Sequence, residues 1–115
     1  MTERRTLVLR GVLDVCFLSV MNERPDYGQA LATRLHEYGL EVAEGSIYSA
    51  LQRLARAGLI EVVADASDAS RKRYSLTSSG AAALREGRRE WLGISSAIDA
   101  CLRVGGGDAE VTTAC

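Results

Sequence analysis

The sequence is short of the groups that most chemistry needs. Its three cysteines, Cys16, Cys101 and Cys115, are odd in number, far apart and without metal-ligand spacing, which argues against a disulfide framework or a zinc cluster. The single histidine, His36, stands beside Glu37 and reads as a surface residue rather than a metal ligand. No serine or cysteine has a histidine base in its sequence context, no glycine-rich phosphate loop follows a strand, and the carboxylates are scattered. No enzyme, cofactor or metal site is therefore expected. Long apolar runs are also missing: none approaches the roughly 18 residues that a membrane helix requires. The opening MTERRTLVLRG lacks the apolar region and small-residue cleavage site of a signal peptide. These absences predict a cytoplasmic chain with no membrane partner. Nor is there an excess of basic charge, since 14 Lys and Arg stand against 15 Asp and Glu for a net charge of −1. That counts against a protein that coats polyanions, because non-specific affinity rests on many cations neutralising phosphates. The distribution of charge then says more than its sum.

What is present suits one folded domain: 115 residues, of which 47% are hydrophobic and 25% charged. Leu9, Val12, Leu13, Cys16, Phe17 and Val20 recur at helical spacing and predict a first helix over 7–22, widened on its apolar side by Val15 and Leu18. Cys16 reads as a small buried hydrophobe there. Asp26 is placed to cap a second helix, with Gln29 answering it as in a capping box. Leu31, Leu35 and Tyr38 mark that helix's inward stripe, and Gly39 its stop. In the third helix, EGSIYSALQRLARAG, the residues Ile47, Ala50, Leu51, Leu54 and Ala57 line one face and Gly58 ends it. The opposite face carries Ser46, Ser49, Arg53 and Arg56, with Tyr48 and Gln52 on its flank, and mixes in no carboxylate.

From Leu59 the period changes. LIEVVAD and RKRYSL read as two strands joined through ASDAS, with Tyr74 and Leu76 on one side and Arg71, Lys72 and Arg73 opening the returning strand. Thr77 can cap a last helix in which Leu84, Trp91, Ile94, Ile98, Cys101 and Leu102 form an apolar seam of near-heptad spacing. Such a seam asks for a partner, and a second copy of the same helix is the simplest one. The predicted organisation is a winged helix domain over 1–77, a dimerisation helix over 78–104 and a flexible tail over 105–115.

Three helices followed by a hairpin is the element order of a winged helix-turn-helix, a mainly α fold with a small two-stranded antiparallel hairpin. In that arrangement Ser46, Tyr48, Ser49, Gln52 and Arg53 face the major groove of double-stranded DNA, and Arg71, Lys72 and Arg73 reach phosphates or the minor groove from the wing. Arg4 and Arg5, ahead of the first helix, extend the basic patch. Arg53 is the candidate for a bidentate guanine contact, with a phosphate contact as the other option. The competing reading is a winged helix that docks an acidic protein through the same patch.

The sequence resembles the PadR-like transcriptional regulators, in the subfamily with a short C-terminal region. Leu9-Arg10-Gly11-Val12-Leu13-Asp14 is similar to that family's LRGxLD, and Tyr27-Gly28 with Leu31 stands in place of HGYxL. Glu44-Gly45-Ser46-Ile47-Tyr48-Ser49-Ala50-Leu51 is like EGTLYPAL, and Leu54 with Gly58-Leu59-Ile60 is like LxxxGLI. The run from Arg71 to Gly80 is like RKYYxLTxxG. Five such pieces stand in order and at the right spacing, and the match as a whole covers residues 9 to about 102. Tyr27 and Gln29 depart from the usual His and Tyr, and Ser49 from the usual Pro. The resemblance implies a homodimeric repressor that binds a pseudo-palindromic operator, with the dimer interface on the last helix at Leu84, Trp91, Ile94, Ile98 and Leu102. It also implies release by a small planar hydrophobic ligand, for which Trp91 and Leu13 are the candidate contacts.

Overall fold

A computed structural model describes residues 12–64 and 72–105. Within them the order is α1 (Leu13–Glu23), β1 (Asp26–Tyr27), α2 (Gly28–Glu37), α3 (Glu44–Arg56), β2 (Ile60–Ala64), β3 (Lys72–Leu76) and α4 (Ser78–Gly105). The expectations for Leu9, Arg4, Arg5 and Arg71, for the ASDAS loop, and for the tail with Cys115 lie outside the described residues.

Local chemistry sets the helix ends. α1 stops where Pro25 forces Arg24 out of the helical region, and Arg24 is extended at φ −172° and ψ 150°. α2 and α3 end in the same way as each other. Gly39 and Gly58 adopt φ of +93° and +76°, a left-handed conformation that glycine reaches without a Cβ clash. The turn then closes with Leu40 N–H donating to Leu35 C=O and Leu59 N–H donating to Leu54 C=O, each at 3.0 Å. Thr77 begins α4 as expected: its Oγ1 accepts from Gly80 N–H at 3.0 Å. The same hydroxyl donates to the Gly58 carbonyl at 2.8 Å, tying the start of α4 to the end of α3.

Four expectations are corrected here. The sheet has three strands in the order β1-β3-β2, because Asp26 and Tyr27 pair antiparallel with Tyr74 and Arg73 and so lengthen the expected hairpin sideways. Asp26 does not cap α2; it lies in β1, its Oδ1 accepts the N–H of the adjacent Tyr27, and the capping box with Gln29 does not form. Tyr38 is not an inward residue of α2 but 68% exposed, since the helix has ended at Glu37, and its hydroxyl reaches Glu23. Ala57, at the end of α3, is exposed as well.

The core is built by Leu13, Phe17, Leu18, Val20 and Met21 of α1, Leu31 and Leu35 of α2, and Ile47, Ala50, Leu51 and Leu54 of α3. Ile60 of β2 and Leu84 of α4 complete it. Cys16 packs half-buried against this cluster, and burial pushes its thiol pKa up, which keeps it in the poorly nucleophilic protonated form. A buried Arg34 holds the end of α1. It donates to the carbonyl oxygens of Val20 and Arg24 and to Glu23 Oε1 at 2.8 Å, and it pairs with Asp26 at 3.5 Å. The carbonyls of a last helical turn have no donors of their own, and Pro25 brings no N–H, so this guanidinium supplies them.

Two compact units divide between Arg85 and Glu86. The first contains the winged helix and the opening turns of α4. The second is the remainder of α4, which exposes Trp91, Leu92, Ile94, Ile98 and Leu102, with Cys101 also exposed beside them.

Candidate nucleic-acid interface

The amphipathic period of α3 turns Ile47, Ala50, Leu51 and Leu54 into the core, and that fixes what is left outside. Ser46, Tyr48, Ser49, Gln52, Arg53 and Arg56 are all exposed, as their spacing predicts. The polar face therefore offers hydroxyls, an amide and two guanidinium groups to solvent. The carboxylates of this region sit ahead of it, at Glu41 and Glu44. They line an open groove of about 460 Å³ between α2 and the start of α3, together with Gln29, Thr33, His36 and Ile47. Phosphate is disfavoured at such a groove, so the cationic stretch of the helix begins beyond it.

On the wing, Lys72 and Arg73 are exposed while Tyr74, Ser75 and Leu76 are half-buried. Arg73 is not a loose cation: its guanidinium lies over the Tyr27 ring, 5.4 Å from the centroid, as the pairing of β1 with β3 requires. From Tyr27 the chain passes directly into α2, where Gln29 donates to the Tyr48 hydroxyl of α3 at 3.4 Å. Tyr74 lies close enough to Tyr48 to feel it. Burial raises the Tyr74 phenol above its ordinary pKa of 10, and Tyr48 adds to the effect. The flank of the third helix is thus linked to α2 through Gln29 and Tyr48, and the wing to β1 through Arg73 and Tyr27.

Arg53 has a partner that its sequence context does not announce. Its Nε donates to Asp14 Oδ2 at 3.1 Å and its Nη2 to Asp14 Oδ1 at 2.6 Å, across from the first turn of α1. These hydrogen bonds, and then the carboxylate's charge, push the Arg53 pKa further up. Among the other expected site residues, Leu84 is 4% exposed within the winged unit's core, which removes it from the seam to which Trp91, Ile94, Ile98 and Leu102 belong. Leu13 is likewise a core residue, 7% exposed, with its side chain used in packing. In the sequence alone Tyr27, Gln29 and Asp14 have no place at this surface: Tyr27 and Gln29 stand out as departures from a family pattern and Gln29 as a capping-box partner, while Asp14 is separated from Arg53 by 39 residues.

A family model described as the transcriptional regulator PadR-like family matches residues 17–86. The chain belongs to that family. Membership places it among transcriptional regulators and not among enzymes. A PadR-like transcriptional regulator from Bacillus cereus, known from a crystal structure, is 34% identical to this PadR-like chain, with a TM-score of 0.75 over 84% of this chain and 97% of that one. A family member from Eggerthella lenta is 30% identical with a TM-score of 0.72, over 84% and 87% of the two chains. An uncharacterised protein of Lysinibacillus sphaericus is 34% identical over 101 residues, which is 83% of this chain and 92% of its own length. These likenesses run through the helices and the wing, so the winged helix of this PadR-like regulator is shown by fold and by sequence together. Among its described residues no helix is long and apolar enough to cross a membrane.

Proposed function

We propose that the protein is a sequence-specific DNA-binding repressor that acts as a homodimer. The observation that carries this is the exposed face of α3, where Ser46, Ser49, Gln52, Arg53 and Arg56 stand without an intervening carboxylate, together with a wing that presents Lys72 and Arg73. Ser46 and Ser49 are short enough to admit the DNA backbone closely, and their hydroxyls suit a phosphate or a base edge. Tyr48 and Gln52 flank them, and Arg53 supplies the fork that reads guanine. Lys72 and Arg73 neutralise phosphates beside the groove, and Arg71, Arg4 and Arg5, outside the described residues, supply further positive charge for the same purpose. The second unit's seam of Trp91, Ile94, Ile98 and Leu102 packs against the same seam of a second chain, placing two α3 helices about one DNA turn apart on a pseudo-palindromic site. A planar apolar compound stacking on Trp91 releases the dimer from its operator; Trp91 is 41% exposed and carries the indole such stacking needs.

An anisotropy titration of the full chain against the DNA upstream of its own gene tests this. The expected result is a clear preference over scrambled DNA of equal composition at physiological salt, with a steep fall in affinity as salt rises. Equal affinity for both duplexes rejects sequence specificity. A shallow salt slope with tight binding to an acidic protein supports the protein-docking module instead.

A further inference from the structure

The ion pair between Asp14 and Arg53 has a geometry that bears on how Arg53 reads DNA. A guanidinium carries five N–H donors in a rigid plane. Asp14 takes the Nε–H and one Nη2–H, at 3.1 and 2.6 Å, along one side of that plane. The two N–H of Nη1 and the second N–H of Nη2 are left at the end of the fork, pointing away from the carboxylate. Those are the donors that a bidentate contact to guanine O6 and N7 requires. Both side chains stay open to solvent, Arg53 at 57% and Asp14 at 39%, so the pair contributes little to stability. Its main effect is to fix the direction of a long side chain that otherwise samples many rotamers. Asp14 is itself anchored, in the first turn of a helix whose Leu13 and Phe17 lie in the core.

We infer that Asp14 is a positioning residue for DNA recognition, clamping one side of the Arg53 guanidinium so that its free end is presented to a guanine edge. This rests on the DNA-binding function proposed above and deepens it. Ordering Arg53 before binding spares the rotamer entropy that binding would otherwise consume, an advantage on the order of two- to tenfold in affinity. The advantage is confined to the specific site. Contacts to phosphate need no fixed plane, and the negative charge of Asp14 opposes them, so loss of Asp14 leaves non-specific binding unchanged or tighter.

The test uses the full chain as wild type, Asp14→Ala, Arg53→Ala and the double variant. Each is titrated against a duplex enriched from a random-sequence pool by the wild-type protein, and against a scrambled duplex of the same composition. The expected result is that Asp14→Ala weakens the enriched duplex by roughly two- to tenfold, does not weaken the scrambled one, and has no further effect once Arg53 is alanine. Asp14→Asn, which keeps shape and one acceptor oxygen, is expected to lose less and serves if Asp14→Ala does not fold. The inference is overturned if removing Asp14 tightens both duplexes alike, if it changes neither, or if its effect persists in full in the Arg53→Ala background. A wild-type protein that enriches no sequence instead overturns the DNA-binding function itself.

Discussion

At position 80 a methyl group would stand 2.0 Å from the Leu59 carbonyl oxygen and 2.8 Å from Leu76 Cδ1. The obstacle is backbone rather than a movable side chain, so Gly80→Ala must push the start of α4 away from the sheet. A loss of about 2 kcal/mol is expected, within the range for overpacked sites, and is measured by urea denaturation. Arg34 sets a second residue-scale constraint. Removing it leaves the last carbonyls of α1 and the half-exposed Glu23 without their donor. Arg34→Ala is expected to cost roughly 1–3 kcal/mol, chiefly by leaving the Val20 and Arg24 carbonyls without their donor, and Arg34→Lys to recover only part of it because one ammonium cannot span the same acceptors. The pH dependence follows from the same contact. Hydrogen bonding to Arg34 holds the Glu23 carboxyl below its ordinary pKa of 4.5. A carboxyl depressed in the folded state stabilises above its unfolded pKa, and that contribution is lost as pH falls through the folded value. Glu23→Gln is therefore expected to lower stability near neutral pH, where the Glu23 contribution is fully present, and to converge with the wild type as pH falls below 4.5, so that the acid decline is flatter; unfolding curves at a series of pH values decide it.

Individual elements divide the labour of binding differently. On α3, Arg53→Ala is expected to cost about 1–3 kcal/mol at a specific site and to relax the preference at one base pair. On β3, Lys72→Ala is expected to weaken all duplexes alike and reduce the salt slope by about one. Titration at several salt concentrations separates the two. Which face of α3 is buried and which is exposed was legible in the sequence, because its 3.6-residue period puts Ile47, Leu51 and Leu54 inside and leaves Ser46, Ser49 and Arg53 nowhere else to go. The helix stops at Gly39 and Gly58 and the Thr77 cap were equally legible, since each follows from one residue's own chemistry. What escaped was non-local or too short. A two-residue strand such as β1 has no period to detect, so Asp26 read as a helix cap. The Asp14–Arg53 and Arg34–Glu23 pairs join different helices, and no local pattern announces them. Leu84 shares the heptad spacing of Trp91 and Ile98, yet it is buried in the winged unit. Spacing alone cannot say whether a helix position is covered by its own domain or by another chain.

For the whole molecule, the proposed homodimer rests on the second unit. Trp91, Ile94, Ile98 and Leu102 are exposed along the part of α4 that lies outside the winged unit, and hydrophobic residues at such spacing gain by burial. Replacing Ile94 and Ile98 together by Glu is expected to give a monomer by sedimentation equilibrium at micromolar concentration, with the winged unit still folded by circular dichroism. If the variant remains a dimer, the seam is not the interface. The net charge of −1 also acts at this scale, since it keeps non-specific attraction to DNA weak and leaves recognition to a local surface. The most direct measurement is a titration of the intact protein against its selected duplex and a scrambled one at physiological salt, with stoichiometry determined in the same experiment. A dimeric reader of this design binds the selected duplex with two chains per site and at least about a thousandfold preference. One chain per site, or equal affinity for the two duplexes, would contradict it.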